Sequence, residues 1–265
     1  MLVMSKLLAM RHLELLWQLS KRDVATRYRG AGLGVAWAVI TPLLQVTLYT
    51  FLFVYVFKSR WSGNDSTAFY GTVIFSGLIA HGFLSEVMGR AVSCVVSQSG
   101  LVKKVVFPLT VLPTVVVVSG LFHAILSLLV LGFILVVQGV ELTATVIALP
   151  LVFLPFALFC LGLSWALAAL GVYLRDMVQL MSWLVSALLF TAPILYPRDT
   201  LPGWTQSWLL LNPLTFVVEQ LREVLLWGHW PNWSGLAIYS GISLVVAWVG
   251  WQCFVKTSKG FADVL

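Results

Sequence analysis

The chain contains little charge for its length. Only 10% of its 265 residues are Asp, Glu, Lys or Arg, whereas 60% are hydrophobic. Soluble globular domains carry about 25% charged and about 45–50% apolar residues. This deficit excludes an ordinary water-exposed surface and predicts an integral membrane protein. The length suits a single membrane domain over residues 1–265, without a second globular unit.

Cysteine is also scarce. Cys94, Cys160 and Cys253 lie far apart within apolar stretches. An odd, scattered set is a poor disulfide framework and a poor metal site. We therefore interpret the three cysteines as small buried hydrophobic residues.

Common motifs for catalysis and nucleotide binding are absent from the sequence. It contains no phosphate-binding G-x-x-x-x-G-K-[ST] and no H-E-x-x-H, C-x-x-C or G-x-S-x-G. We expect no catalytic residue, metal or cofactor on this chain. If the chain does energised work, another chain must bind the nucleotide. We attribute the net charge of +6 to membrane topology and expect no nucleic-acid partner.

Long apolar runs are plentiful. A membrane-spanning helix needs about 20 mostly apolar residues. Six stretches meet this requirement, and they predict an all-α polytopic membrane protein with six transmembrane helices. The predicted spans are residues 33–57, 69–92, 109–137, 142–174, 177–195 and 236–255.

The distribution of basic residues predicts the orientation. With the N-terminus inside, twelve of the 16 Lys and Arg residues fall on the cytoplasmic side. The positive-inside rule therefore places both termini in the cytoplasm. Charged residues interrupt the region where the apolar core of a signal peptide would lie. We predict instead that residues 1–30 form an amphipathic helix in the plane of the cytoplasmic interface.

Two connections differ from ordinary polar loops. The cytoplasmic segment 98–108 is short and amphipathic, with paired lysines and a final proline. The outer segment 197–234 is rich in Trp and Leu, and each half is too short to span the membrane. Asn212 followed by Pro213 is typical of a helix start. We predict a re-entrant helical hairpin, because irregular backbone at membrane depth is tolerated within protein.

The second helix of this hairpin is predicted to be amphipathic. Its residues divide into two sets by helical spacing. The apolar face comprises Leu214, Val217, Val218, Leu221 and Leu225, and the polar face comprises Glu219, Arg222 and Glu223.

Four ionisable residues lie inside predicted spans, where such residues are candidates for function. Glu86 and Arg90 are four residues apart near the cytoplasmic end of their helix, and we predict an ion pair. We place His123 about 9 Å from the outer side of a core of about 30 Å. His81 lies at a different depth, so we expect no proton relay between the two histidines.

Two further patterns each allow two interpretations. Gly30 and Gly34 form a G-x-x-x-G that suits either helix packing or a flexible turn into the first span. The tryptophans suit either an interfacial belt or a conduit in which sugar rings slide over aromatic faces. These tryptophans are Trp37, Trp61, Trp204, Trp208, Trp227, Trp230 and Trp233.

An ordered set of short motifs resembles the membrane subunit of ABC-2 type polysaccharide exporters, which move lipid-linked O-antigen, teichoic acid or capsule. Each motif alone is weak, but together they cover nearly the whole chain in order. They are residues 22–37 with Thr41-Pro42, Lys103-Lys104 with Phe107-Pro108, Tyr173-Leu-Arg-Asp176, Pro193-Ile-Leu-Tyr196, and Asn212-Pro-Leu214 with Glu219 and Arg222.

The resemblance implies a subunit of an ATP-driven exporter in the bacterial inner membrane. It implies a homodimer that works with two copies of a separate ATPase, which binds ATP and Mg. Segment 101–108 would be the coupling helix that contacts this ATPase, and the residues after Tyr196 would form an outer gate. The implied coupling residues are Leu101, Val102, Lys103, Lys104, Phe107 and Pro108. The implied gate residues are Tyr196, Trp204, Trp208, Asn212, Pro213, Glu219 and Arg222.

Arg27 and Arg29 are candidate ligands for phosphate at the cytoplasmic interface. Cationic side chains and free backbone N–H groups at a helix start favour a lipid pyrophosphate there. Anchoring of anionic lipid headgroups is the alternative interpretation.

Three rival functions are compatible with parts of the pattern. An ABC-2 exporter of a drug or small lipid would share the six spans and the coupling loop. An integral-membrane transferase needs clustered carboxylates, but Asp176 is predicted on the inner side and Glu219 with Glu223 on the outer side. A non-transporting scaffold would leave the gate-like hairpin unexplained.

Overall fold

A computed structural model describes residues 2–57, 67–100 and 107–265 of the chain. Every regular element in these ranges is helical, which confirms the predicted all-α class. The α-helices include α1 (Leu2–Tyr28), α2 (Trp37–Thr50), α3 (Thr67–Cys94), α4 (Val111–Val137), α5 (Leu149–Tyr173), α6 (Met177–Thr191), α7 (Gly203–Leu209), α8 (Pro213–Arg222), α9 (Trp233–Thr257) and α10 (Phe261–Val264). Single-turn π-helical segments, Phe51–Val56 and Glu223–Trp227, extend α2 and α8.

Five segments in the described ranges are long and apolar enough to cross a membrane. They are Gly34–Val56, Phe69–Cys94, Val111–Val137, Ala144–Tyr173 and Trp233–Val264. These segments match the first four predicted spans and the sixth.

The predicted fifth span, residues 177–195, forms a shorter helix. α6 has 15 residues, which extend about 22 Å against a core of about 30 Å. Ala192 takes up extended backbone after α6, because the residue before a proline avoids the helical region. The apolar run continues past this break, and this is why composition overestimated the length of the helix.

α3 is the central helix. In its most apolar stretch of 18 residues, 72% are buried, against 11–39% in the corresponding stretches of the other four candidate spans. It packs against α2, α4, α5, α6 and α8, and side chains such as Val73, Phe75 and Leu84 are almost completely buried. The other helices therefore surround α3 and expose apolar faces outward, where lipid is expected.

A second, smaller core lies where α3, α5 and α9 end and α4 begins. It holds α10 against the bundle, and the Tyr173 hydroxyl donates to the Thr257 carbonyl, 2.9 Å away. Its buried members are Val95, Leu112, Ala168, Ala169, Val172, Phe254 and Phe261. Following the predicted orientation, we call this the inner end of the molecule and the end that carries α7 and α8 the outer end.

The connection between α1 and α2 is a turn. Gly30 and Gly34 have φ values of +87° and +52°, in the left-handed region that glycine adopts readily. The structure therefore supports a turn at this G-x-x-x-G, and the interpretation as a helix-packing motif is wrong.

Glycine does mediate close helix packing elsewhere, between α5 and α9. A Cβ atom on Gly162 would lie 2.5 Å from the Ala247 backbone, and one on Gly250 would collide with the Gly162 carbonyl. The small residues allow the two backbones to approach directly.

Candidate functional site

Two reciprocal ion pairs join α1 to α3. Arg90 Nη2 lies 2.6 Å and 2.7 Å from the two carboxylate oxygens of Asp23. One turn further along each helix, Arg27 Nη2 lies 3.0 Å from Glu86 Oε1. Glu86 and Arg90 also pair within α3 at 3.0 Å, which confirms the predicted ion pair. We call Asp23, Arg27, Glu86 and Arg90 the charge ladder; their formal charges cancel.

His123 of α4 joins the charge ladder. Its Nδ1 atom lies 2.7 Å from Arg27 Nη1 and 3.1 Å from Glu86 Oε2. One ring nitrogen either accepts from the guanidinium or donates to the carboxylate. The Tyr28 ring packs edge-on against the imidazole, and burial raises the pKa of the Tyr28 phenol, so it stays neutral.

The predicted depth of His123, near the outer side, is therefore wrong. The histidine lies level with Glu86. α4 has 27 residues and extends about 40 Å, so it must tilt or project beyond a core of about 30 Å. The prediction assumed an upright helix that began at the membrane surface. His81 lies instead against α6, with Nε2 3.0 Å from the Val185 carbonyl, so the two histidines make separate contacts.

A cavity of about 430 Å³ opens beside the charge ladder, between α2, α3 and α4. Its apolar wall includes Leu78, Phe83 and Ala124. Its polar and aromatic lining includes Trp37, Thr41, Gln45, Glu86, His123 and Ser127. We call this space the ladder cavity.

Sequence reasoning missed the contribution of Thr41, Gln45 and Ser127. The available signal was polar residues four apart within an apolar span, since such residues share one helix face. Thr41 and Gln45 have this spacing on α2, and His123 and Ser127 have it on α4.

The structure separates the two arginines that the sequence singled out. Arg27 is held by Glu86 and His123 and lines the ladder cavity. Arg29 lies exposed in the turn after α1, and its side chain has no hydrogen bond or ion pair with the described part of the chain.

Most of the predicted coupling segment lies outside the described residues. This applies to Leu101, Val102, Lys103 and Lys104, and likewise to Trp61 of the aromatic set. Phe107 and Pro108 are described and partly buried. Phe107 packs against the small inner core and so connects the end of this segment to α3, α4, α5 and α9.

Asn212 begins α8 as the sequence predicts. Its Oδ1 atom accepts from the Leu214 amide at 2.9 Å, and Pro213 occupies the first helical turn. The side-chain amide also donates to the Leu188 carbonyl and to Thr191 Oγ1. The hairpin is therefore tied to the outer end of α6.

Arg222 departs from its predicted place on the polar face of α8. Its side chain is buried with the apolar face and donates to the carbonyls of Val73, Pro193 and Ile194. These carbonyls accept the bonds that a buried guanidinium requires. Arg222 thus connects the hairpin to α3 and to the break after α6.

The other predicted hairpin residues lie toward the surface. Glu219 pairs with Arg198 at 3.3 Å, and Glu223 pairs with His229 at 2.7 Å. The five predicted apolar residues are all buried, which confirms that face.

The aromatic gate candidates occupy different environments. The Tyr196 hydroxyl donates to the Phe190 carbonyl at 2.8 Å, and its ring lines an open groove with Phe53 between α6 and the outer extension of α2. Trp204 and Trp208 of α7 are exposed, at 73% and 68%. Elsewhere on the outer end, Trp227 packs on Phe69, and Trp230 stacks with Trp233.

Comparison with known proteins agrees with this architecture. Residues 14–226 match the family model described as ABC-2 type transporter. The chain belongs to the ABC-2 type transporter family. The match in this ABC-2 protein runs from the middle of α1 to the π-helical turn after α8, so it includes the charge ladder and the hairpin.

The relatives of this ABC-2 protein are similar over nearly its whole length. It is 31% identical over 254 residues to the O-antigen export system permease protein RfbA of Myxococcus xanthus, covering 94% of each chain. It is 25% identical to the RfbA protein of Klebsiella pneumoniae, over 95% of each chain. It is 24% identical to the polysialic acid transport protein KpsM of Escherichia coli, over 86% of this chain and 88% of that one.

Proposed function

We propose that this chain is the transmembrane subunit of an ATP-driven exporter that moves lipid-linked, O-antigen-like polysaccharide across the bacterial inner membrane. The observation that carries the proposal is the similarity to O-antigen and polysialic acid transport proteins along almost the full length of each chain. Such breadth favours polysaccharide over a drug or a small lipid. The chain itself has no enzymatic role in this proposal.

Six crossings fit the path of the chain best. α6 begins after Tyr173 at the inner end, passes His81 in the middle of α3, and reaches the hairpin at Thr191. α6 therefore serves as the fifth crossing although it is short. The hairpin α7–α8 occupies the part of the membrane core that α6 does not span, and it forms a re-entrant outer gate. With six crossings, both termini lie in the cytoplasm.

A separate ATPase supplies the energy for transport. The chain forms a homodimer with two copies of an ATPase, and segment 101–108 is the coupling helix. The absence of a phosphate-binding loop from the sequence supports a partner that binds ATP and Mg. Phe107 packs on the small inner core, so force on this segment would act on the ends of several helices together.

The lipid pyrophosphate enters at the turn that follows α1. Arg29 is exposed there, and Arg27 lies within one turn of it. ATP-driven closure of the partner rocks the membrane subunits and opens the seam between α2 and α6. The groove lined by Phe53 and Tyr196 lies along this seam at the outer end.

The transferase alternative gains no support from the placement of the carboxylates. Asp176 precedes α6 at the inner end, whereas Glu219 lies on α8 at the outer end. Glu219 also pairs with Arg198, so its carboxylate already has a partner.

Deletion of the gene tests the proposal. We expect lipid-linked polysaccharide to accumulate in the cytoplasm and to disappear from the cell surface, with wild-type chain restoring export. A chain with Arg27→Gln and Arg29→Gln should fail to restore export while still co-purifying with the ATPase. Normal surface polysaccharide in the deletion strain would refute the function, and full export by the double variant would refute the role of the arginines.

A further inference from the structure

We propose that the ladder cavity binds the sugar that is attached to the lipid phosphate, so that the protein recognises a sugar together with its phosphate. The inference rests on the proposed function and adds to it a site within a single subunit. The ligand class is a neutral or weakly charged glycosyl unit, and the phosphate lies at the mouth of the cavity beside Arg29.

The polar lining converges from three helices. Trp37, Thr41 and Gln45 recur at intervals of four residues on α2, so they share one face. His123 and Ser127 have the same spacing on α4, and Glu86 faces them from α3. Polar residues inside a span are rare, and they usually pair with one another or with backbone carbonyls, or face a pathway or a water-filled cavity.

Two of these polar groups remain available to a ligand. The Thr41 hydroxyl and the Gln45 amide make no side-chain hydrogen bond with the described part of the chain, and both side chains are exposed to the cavity. The adjacent Trp37 ring offers a flat apolar surface. Hydrogen-bonding groups beside an aromatic face suit the hydroxyls and the C–H face of a sugar ring.

The charge balance favours a sugar over an anion in the cavity itself. Within the charge ladder, two carboxylates offset two guanidinium groups. Both Glu86 oxygens already accept hydrogen bonds from Arg27 and its neighbours, so this carboxylate is largely satisfied. Arg27 pairs with Glu86 and contacts His123, and its side chain is 40% exposed, so it can act on a phosphate at the mouth only together with Arg29.

Arg29 provides a positive charge for the phosphate of the ligand at the mouth of the cavity. Tyr28 and Ala31 both line the cavity, and the exposed Arg29 lies between them in the chain. A ligand whose sugar occupies the cavity would therefore place its phosphate near Arg29. The cavity volume of about 430 Å³ lies within the range of about 300–1,000 Å³ for small-molecule sites.

Gly82 allows the cavity to be filled without disturbing the fold. It lines the cavity on α3, and a Cβ atom built on it meets no atom within 4 Å. Gly89 provides a matched control, because it lies two turns along the same face with equally open space but outside the lining. Gly82→Leu should block the cavity, and Gly89→Leu should not.

The test uses the complex of this chain with its ATPase in lipid nanodiscs. Two probes are compared by equilibrium binding: a short-chain polyprenyl diphosphate, and the same molecule with one hexose attached. We expect the wild-type complex to bind the hexose-bearing probe about tenfold more tightly, as one or two net hydrogen bonds would provide. Gly82→Leu and the pair Thr41→Val with Gln45→Met should reduce this preference to less than twofold.

Control variants separate the sugar site from the phosphate site. Arg29→Gln should weaken binding of both probes by a similar factor and so leave the preference intact. Gly89→Leu and Thr47→Val should bind both probes as the wild type does, since neither side chain lines the cavity. Co-purification with the ATPase and the melting temperature verify that each variant is folded.

The outcomes distinguish the sugar pocket from the proposed function. If the wild-type complex binds the diphosphate without preference for the hexose, or if Gly82→Leu keeps the preference, the pocket proposal is overturned while export stands. If deletion of the gene leaves surface polysaccharide unchanged, the function itself fails. A loss of preference confined to the cavity variants supports the pocket.

Discussion

At the scale of single residues, Glu86 organises the inner half of the molecule. Its carboxylate contacts Arg27 of α1, Arg90 of α3 and His123 of α4, and its side chain is only 13% exposed. Buried carboxylates require such partners, because an unpaired charge in a low-dielectric interior is costly. The charge ladder therefore fixes the position of α1, and with it the turn that carries Arg29.

The charge ladder predicts that reversing the charge of one partner in the Asp23–Arg90 pair destabilises the protein. Reversing the charge of the other partner as well should restore the pair. Asp23→Arg places two guanidinium groups together, and Arg90→Asp places two carboxylates together. Because both side chains are about one-third exposed, we expect each single variant to lose roughly 1 kcal/mol of stability. That loss corresponds to a fall of about 2–4 °C in the melting temperature.

The double variant, Asp23→Arg with Arg90→Asp, should recover part of this loss. Lys21→Asp is the matched control and should melt as the wild type does, because Lys21 is exposed on α1 and forms no ion pair with the described part of the chain. Melting of the purified protein in detergent, followed by intrinsic fluorescence, measures all four variants. A double variant that melts no higher than the less stable single variant would contradict the ladder.

Residue-level prediction from sequence succeeded where the partners are close along the chain. The pair Glu86–Arg90 and the Asn212 cap both depend on residues within one helical turn. The bond between Arg90 and Asp23 joins residues 67 positions apart, and Arg222 contacts carbonyls up to 149 positions away. Such contacts depend on which helices become neighbours, and helical spacing alone contains no information on that.

At the scale of helices, the α5–α9 contact depends on glycine. Gly250 packs directly against the Gly162 backbone, so a side chain at this position must force the helices apart. Overpacking of this kind costs about 1–3 kcal/mol. We expect Gly250→Leu to lower the melting temperature and the yield of folded protein.

Gly241→Leu is the control for this prediction. Gly241 lies on the same helix, but a Cβ atom there meets no atom within 4 Å. The two variants are compared by size-exclusion chromatography and thermal melting in the same detergent. Equal stability of Gly250→Leu and the wild type would show that α5 and α9 do not pack as closely as the structure indicates.

Helix existence was easier to predict than helix packing. The apolar runs located five long helices, and Asn212-Pro213 located the start of α8. The motif at Gly30 and Gly34, by contrast, became a turn. The close-packed pair, Gly162 and Gly250, belongs to two different helices, and a motif search within one helix does not detect such a pair.

At the scale of the whole molecule, α6 decides the topology. If α6 crosses, the chain has six crossings and both termini lie on one side of the membrane. If only the five long helices cross, the termini lie on opposite sides. The contacts favour six crossings, because α6 begins near the inner core and ends against Asn212 of the hairpin.

Cysteine accessibility tests the number of crossings. In a chain whose three cysteines are replaced by alanine, we introduce Gly203→Cys at the start of α7 or Lys259→Cys beyond α9. Gly203 has open space around it, and Lys259 lies within a short 3₁₀ turn at the inner end. We expect a membrane-impermeant maleimide to label Gly203→Cys in cells with a permeabilised outer membrane. It should label Lys259→Cys only after the inner membrane is disrupted, because the predicted topology places this residue in the cytoplasm. If only the five long helices cross, the pattern should reverse, because α9 still separates the two positions. Lys259→Cys would then be labelled from outside, and Gly203→Cys only after the inner membrane is disrupted, which would contradict a crossing by α6.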